Sequence, residues 1–469
     1  MKSWLERLEI SVVPLASLER TLRVDAEFYS KKNLLVASQL SAMPHIPITD
    51  AFDVSDGNHM SISDDFQESG VPYYRGQDSC HMFIEDASPV CIGLRNYQKT
   101  VMQRSHLHKD DVLLSIVGTI GNVSYVATEE KAICSCKLAI LRAKHRTISP
   151  ECLYLFLQTT YGQNQIQKFR RGAVQMGLIL EDMDQLMIPL FSDRFQAALK
   201  QTMAKLYEMD SAARKNYQDA EACLAQAIGY YDYQPAKQQN SVRSLNEILS
   251  AGRMDAEYYQ PKYDDLKSIL HRHPVKSLGE LVTIQKSIEP GSSEYQADGI
   301  PFYRVADLSP FWLGTPSVHL SPRDYATALR PKKDTILLSK DGSIGIACKV
   351  EEDLDGITSS ALLHLTLVDD ACNPDYLTLV LNSSVVKMQA EQAAGGSIIQ
   401  HWLMDDIRNV EIPLLGREEQ AQIQTLLQRA HADRVAANNL LATARRAVEC
   451  FIEQGEAAAL TVLASDSEA

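Results

Sequence analysis

Nowhere in the 469 residues do about eighteen apolar side chains follow one another, which excludes a membrane-spanning helix read from hydropathy. Positive charge is also short: 46 Lys and Arg stand against 60 Asp and Glu, a formal net charge of -14. A protein that held nucleic acid mainly by neutralising phosphates would be basic overall, so any contact with DNA is expected to be local or shared with a basic partner. The nine cysteines are odd in number and scattered, with no CxxC pair and no Cys/His set at zinc-ligand spacing. That excludes a disulfide scaffold and a zinc finger. The opening residues MKSWLERLEISVVP carry charge and no apolar signal core, and the expectation is a reduced, soluble, cytoplasmic protein. With 45% hydrophobic and 23% charged residues the chain is ordinary globular material, enough for two to four domains at roughly 100–200 residues each.

Enzyme signatures are missing too. The glycines of Val117-Gly118-Thr119-Ile120-Gly121 are followed by no Gly-Lys-Ser/Thr, and the matching Lys340-Asp341-Gly342-Ser343-Ile344-Gly345 puts an aspartate where it would repel phosphate. A tight turn between strands, with glycine supplying positive φ, is the preferred reading over a phosphate loop. The Asn/Asp-Pro-Pro-aromatic string and glycine-rich cofactor strand of a DNA methyltransferase are absent, and Pro374-Asp375 is followed by YLTLVLNSS with no acid-x-Lys of a nuclease core nearby. No nucleophile–base pair stands out, and no catalytic residue, bound cofactor or metal is expected in this chain.

What the chain does have is a repeat. RVDAEFYSKK at 23–32 returns as RMDAEYYQPK at 253–262, and GVPYYRGQD at 70–78 as GIPFYRVAD at 299–307. DVLLSIVGTIG at 111–121 returns as DTILLSKDGSIG at 334–345, and GAVQMGLILEDMDQLMIPL at 172–190 as GSIIQHWLMDDIRNVEIPL at 396–414. Four blocks recur in one order, each displaced by 223 to 230 residues. Collinear recurrence of this kind marks a tandem duplication.

Each half closes on a long helical stretch. Small or apolar residues recur at spacings of three and four in the first: Phe195, Leu199, Met203, Leu206, Met209, Ala213, Tyr217, Ala220 and Leu224. The second carries Ile423, Leu427, Ala430, Arg434, Ala437, Leu441, Ala444, Val448 and Phe451. These are coiled-coil seams, and a helix of this length spans about 50 Å at 1.5 Å per residue. The two are expected to pack on each other, with the stem of Arg434 lying along its seam. The bodies of the halves read as short β-strands, VPYYR, DVLLSIVG and KLAILRA, followed by a short helix. The expected fold is α+β: recognition module 1–189, helix 190–230, module 231–413, helix 414–456, and a frayed acidic tail 457–469.

Polar residues beside glycines sit at matching places in both halves. Arg75 and Gln77 follow one aromatic strand and Arg304 the other. Arg170, Arg171 and Gln175 precede the first IPL strand, as Gln400 and His401 precede the second, and Lys340 lies in the second glycine turn. Arg and Gln are side chains that read guanine and adenine edges bidentately in the major groove. The repeated Arg…Asp of Arg75/Asp78 and Arg304/Asp307 equally suits a structural ion pair. Positions that differ between the copies, Gln77 against Ala306 and Val117 against Asp341, suit specificity better. The basic clusters Arg142-Ala-Lys-His-Arg146 and Arg330-Pro-Lys-Lys333 are candidates for gripping phosphate, or for an ordinary solvated surface.

These blocks resemble the specificity (S) subunit of type I restriction-modification systems, over essentially the whole chain. The likeness lies in RxDAExY, GxPxxR, LLSxxGxIG and the acidic block ending in IPL ahead of a long helix, each in duplicate and in order. The resemblance implies two target recognition domains held apart by antiparallel helices, reading a bipartite double-stranded DNA site for phage defence. It implies no catalysis in this chain, two methylase subunits as partners with S-adenosylmethionine bound there, and restriction subunits joining the complex. Phe195, Leu199, Met203, Leu206, Ile423, Leu427, Leu441 and Val448 would form the helical interface. The alternatives are a targeting module of another defence or orphan methylase complex, or a scaffold that ignores DNA.

Overall fold

The structure is a computed structural model describing residues 9–19, 22–145, 147–172, 176–234, 240–310, 312–394 and 402–465. The chain divides into two compact units, Met1–Ser211 with Arg434–Ala469, and Ala212–Asp433.

The first repeat holds β1 (Phe52–Asp56), β2 (Val71–Tyr74), β3 (Val90–Ile92), β4 (Val112–Ser115), β5 (Val123–Tyr125), β6 (Ile133–Cys134) and β7 (Leu138–Ala143), then helices α1 (Pro150–Gln158) and α2 (Asp193–Ile228), the last of which runs from the first unit into the second. Its four-stranded sheet has the order β1-β7-β4-β5, and a three-stranded sheet the order β3-β2-β6. The second repeat matches it with β8 (Val282–Lys286), β9 (Ile300–Tyr303), β10 (His319–Leu320), β11 (Ile336–Ser339), β12 (Ala347–Lys349), β13 (Ile357–Thr358), β14 (Leu362–Leu367), α3 (Pro374–Asn382) and α4 (Arg417–Gln454), the last of which runs from the second unit into the first. The sheet orders are β8-β14-β11-β12 and β10-β9-β13. Register makes the duplication residue-specific: Val112 pairs with Tyr125 and Leu141 as Ile336 pairs with Lys349 and Leu365. Even the backbone signs match, since Asp110 and Asp334, each two residues ahead of the strand that leads into the glycine turn, both have positive φ. Aspartate tolerates that region better than most side chains.

The central strands β4 and β11 are buried on both faces, hence their unbroken apolar runs. The helix following each sheet starts with a cap and a proline: Ser149 Oγ accepts from the Cys152 N–H, and Asn373 Oδ1 from the Tyr376 N–H. Each long helix is fastened to its module by a glutamine. Gln196 Oε1 accepts from Ser149 N–H (2.8 Å) while Nε2 donates to Thr147 and Phe191 carbonyls. Gln420 does the same with Asn373, Ala371 and Leu415.

The long helices run antiparallel. In the first unit Phe195, near the start of α2, stacks on Phe451, near the end of α4, with ring centroids 4.8 Å apart. Phe195, Leu199, Met203 and Leu206 share one core with Ala437, Ala444 and Val448, with Leu441 packed against it. In the second unit Ala220, Leu224 and Ile228 join Ile423, with Leu427 half-buried beside them. Burying such seams, at about 25 cal/mol per Å² of apolar surface, is what holds helices of this length together.

Three expectations are corrected. On the α2 seam the buried residue is Asp210, with Met209 only half-buried; and Arg434 buries its head as well as its stem, because Asp210 lies 2.5 Å from its guanidinium. The tail is not frayed through 457–465: α5 (Glu456–Ser465) begins after Gly455 at positive φ, with Ser192 Oγ donating to Glu456. Its Ala459 is buried in the first core, as the apolar run AAALTVLA favours. All nine cysteines are free thiols. Among the described residues, no helix is long and apolar enough to cross a membrane.

Candidate nucleic-acid interface

In the first unit three loops converge. Val117, at the start of the β4–β5 turn, and Arg171 both bridge Gly177, and the Leu178 N–H donates to Ile116 O at 2.9 Å. The loop after β2 packs against them: a Cβ added at Gly76 would lie 3.3 Å from Lys137 Cβ and 3.6 Å from Val117 O. A glycine therefore admits the close approach. Around this junction Gln77, Lys137, Gly118 and Thr119 are exposed. The second unit builds the same junction, with the Trp402 N–H donating to Lys340 O and the Lys340 N–H to Ala361 O. There the counterparts of Gln77 and Lys137 are Ala306 and Ala361, and Lys340 is paired with Asp341.

The glycine turns are turns. Gly118, Gly121, Gly342 and Gly345 all have positive φ, and the Ser115 and Ser339 hydroxyls donate to carbonyls within their own loops, Thr119 O and Ser343 O.

Several candidate readers are engaged in holding the loops. Arg75 N–H donates to Asp78 Oδ2 at 2.7 Å with Nε 3.4 Å away, and Arg304 N–H to Asp307 Oδ2 at 2.8 Å with Nε at 4.0 Å. The repeated Arg…Asp pair is thus a turn lock, identical in both copies. Arg171 donates to Asp182 at 2.8 Å, where the carboxylate is buried. Arg170 lies 3.5 Å from Glu27. Gln175, Gln400 and His401 lie outside the described residues.

The basic clusters are tied to acids as well. Arg142 grips buried Asp111 with two nitrogens, 2.8 and 2.6 Å, and the His106 carbonyl at 2.9 Å; the bond to Asp111 raises the guanidinium pKa against the cost of burial. Arg330 pairs with Asp355 and Lys332 with Asp353. Arg146 lies outside the described residues. Sequence reasoning missed Lys137; its change to Ala361 between copies is visible in the sequence, but only the fold brings it beside the glycine loop of Gly76. Among the described residues no group of His, Cys, Asp and Glu could hold a metal.

Two like modules, each a β-rich body with a variable exposed loop junction and each followed by a long seam-bearing helix, define a tandem recognition protein. Its sequence matches the type I restriction modification DNA specificity domain over residues 44–208 and again over 274–439, and the chain belongs to that family. Solved structures similar to it include a type I restriction-modification S subunit from M. genitalium (13% identity, 89% of this chain and 95% of that one, TM-score 0.35). Another is the HsdS subunit from Thermoanaerobacter tengcongensis (17%, 90% and 96%, TM-score 0.28). A third is a structure described as showing complex assembly and conformational transition of the type I R-M system (16%, 87% and 97%, TM-score 0.29). With TM-scores this low, family membership rests on the sequence match alone. No curated protein matches the chain.

Proposed function

We propose that this chain is the non-catalytic subunit that chooses the DNA site of a type I restriction-modification complex, each module reading one half of an asymmetric bipartite site. The observation that carries this is the loop junction built twice on one scaffold with different side chains, exposed Gln77 and Lys137 in one copy and exposed Ala306 with half-buried Ala361 in the other. Identical modules would call for a palindrome; unlike ones call for two different half-sites. The antiparallel helices act as the ruler between half-sites.

Partner recruitment has its own support. The repeated RxDAExY segments lock themselves, with Arg23 on Asp25 and Arg253 on Asp255, and leave Val24 81% and its counterpart Met254 85% exposed. Leu15 and Leu245 are exposed as well. A duplicated apolar face suits two copies of one partner, here two methylase subunits carrying S-adenosylmethionine, with restriction subunits joining that complex. The net charge of -14 and the internally paired arginines leave much of the phosphate grip to those partners. Titrating a labelled duplex at physiological salt tests this: weak binding by the chain alone and strong binding with its methylase are expected. Tight sequence-specific binding by the isolated chain contradicts it. Deleting one turn from each long helix should shorten the gap between half-sites and leave both half-sites unchanged.

A further inference from the structure

The two repeats resolve one electrostatic problem in different ways. Glu151 and Asp375 each follow the first proline of α1 and α3, and each carboxylate is buried against β5 or β12 and the long helix that follows its own module. In the second unit Asp375 is satisfied from within. The Lys349 ammonium lies 2.6 Å from it and 3.0 Å from Glu351, and Gln424 Nε2 donates to it at 3.2 Å. The space left beside it is only about 50 Å³.

In the first unit the position of Lys349 is held by Tyr125, as strand register requires, and its hydroxyl donates to Asp110 at 2.7 Å instead. Lys200 stands in place of Gln424 and makes no ion pair with Glu151. Glu151 is 7% exposed, and its Oε2 is buried without a hydrogen-bond partner. Beside it opens a pocket of about 260 Å³ walled by Phe83, Tyr125, Met203 and Tyr207. The Phe83 ring meets Tyr207 edge-on at 5.2 Å and Tyr125 at 6.3 Å. An unpaired buried carboxylate is costly, and aromatic faces around it favour a cation on an apolar stem. We propose that this pocket binds a primary alkylammonium group, the counterpart from outside of what Lys349 supplies within the second unit. The exposed Lys109 and Lys200 at the rim oppose a second positive charge, so the ligand is a monocation on a short aliphatic stem rather than a polyamine.

The test is calorimetric titration of the full chain with n-butylammonium, with Nα-acetyl-lysine methylamide, and with n-butanol as the uncharged match. Saturable binding of the ammonium but not of butanol is expected. It should weaken about tenfold in Glu151→Gln, the worth of one hydrogen bond to a charged group. It should vanish in Tyr125→Lys, which installs the second repeat's own cation, and persist in Lys200→Ala. Thermal melting of each variant checks folding, and the two variants test the site independently. Comparable binding of the lysine amide identifies the occupant as a protein side chain, and binding of butylammonium alone identifies a free amine; either upholds the proposal. No binding, equal binding of butanol, or binding unchanged by Glu151→Gln overturns it. So does binding that emerges only in Lys200→Ala, since Lys200 would then be the native occupant.

Discussion

Position for position, the first long helix puts Asp210 where the second puts Arg434, 224 residues further on. Neither charge reaches solvent freely: Asp210 is 0% and Arg434 7% exposed, and Arg434 is also 3.6 Å from Asp86. Burial, with Arg434 next, holds the neighbouring His81 below the usual imidazole range. In an antiparallel pair equivalent positions meet only near the midpoint, which is where Asp210 and Arg434 lie in their helices. Two copies of α2 packed this way would set carboxylate on carboxylate, and two copies of α4 guanidinium on guanidinium. Opposite signs let the two helices of one chain meet at that point, where a pairing of identical helices would bury like charges together.

The largest expected effect tests that seam. Arg434→Ala takes the guanidinium away from two buried carboxylates, Asp210 and Asp86, and should cost about 3–5 kcal/mol in urea denaturation, with Asp210→Ala costing less because Asp86 stays beside Arg434. The double exchange Asp210→Arg with Arg434→Asp should recover much of the loss. Equal loss in the exchange would mean that Asp86 and the surrounding packing, rather than the pair, set the sign.

A second contrast lies in the sheets. Val112 and Leu113 of β4 face Leu141 and Ile140, while Leu337 of β11 faces His364. Burial pushes His364 down to about 4, and its Nε2 meets Thr358 Oγ1 at 2.6 Å. The unfolded imidazole binds its proton near 6.5 and the folded one does not, so stability present above pH 6.5 drains away as pH falls toward 4. The loss should be of the order of 3 kcal/mol. His364→Ile, the residue of the first copy, should flatten stability against pH over that window; an unchanged slope would place the titration elsewhere.

The loop junctions give the third test. Gln77→Ala should relax the base preference of one half-site by about 1–3 kcal/mol and leave the other intact. Ala306→Gln should act on the other half-site alone. Changes in both half-sites from either substitution would break the assignment of one module to one half. The smallest effect concerns helix starts: Ser149→Ala and Asn373→Ala should each cost about 1 kcal/mol, and exchanging Ser for Asn almost nothing.

The duplication, the order of strands and helices, and both seams were legible because they rest on period and repetition. The shared offset of Gly118 and Gly342, or of Phe195 and Glu419 within their helices, needs no coordinates. The residues that escaped are those whose meaning depends on a distant partner. Arg434 reads as a break in the seam until Asp210, outside the apolar pattern, proves to be its counterpart. Arg75 and Arg304 suit base reading and turn locking equally until the Asp78 and Asp307 carboxylates are seen on their backbone nitrogens. Arg142 and Lys332 read as free cations because Asp111 and Asp353 lie 31 and 21 residues away. Lys137 gains interest only where Gly76 lets two loops touch.

The central claim is that this chain selects the DNA sites its complex modifies. Genome-wide mapping of methylated adenines, in the strain that carries the gene and in one from which it is deleted, tests it most directly. The account predicts one bipartite motif that disappears with the gene and returns, altered in a single half, with Gln77→Ala. An unchanged methylome, with the protein shown to be present in the parent strain, would contradict it.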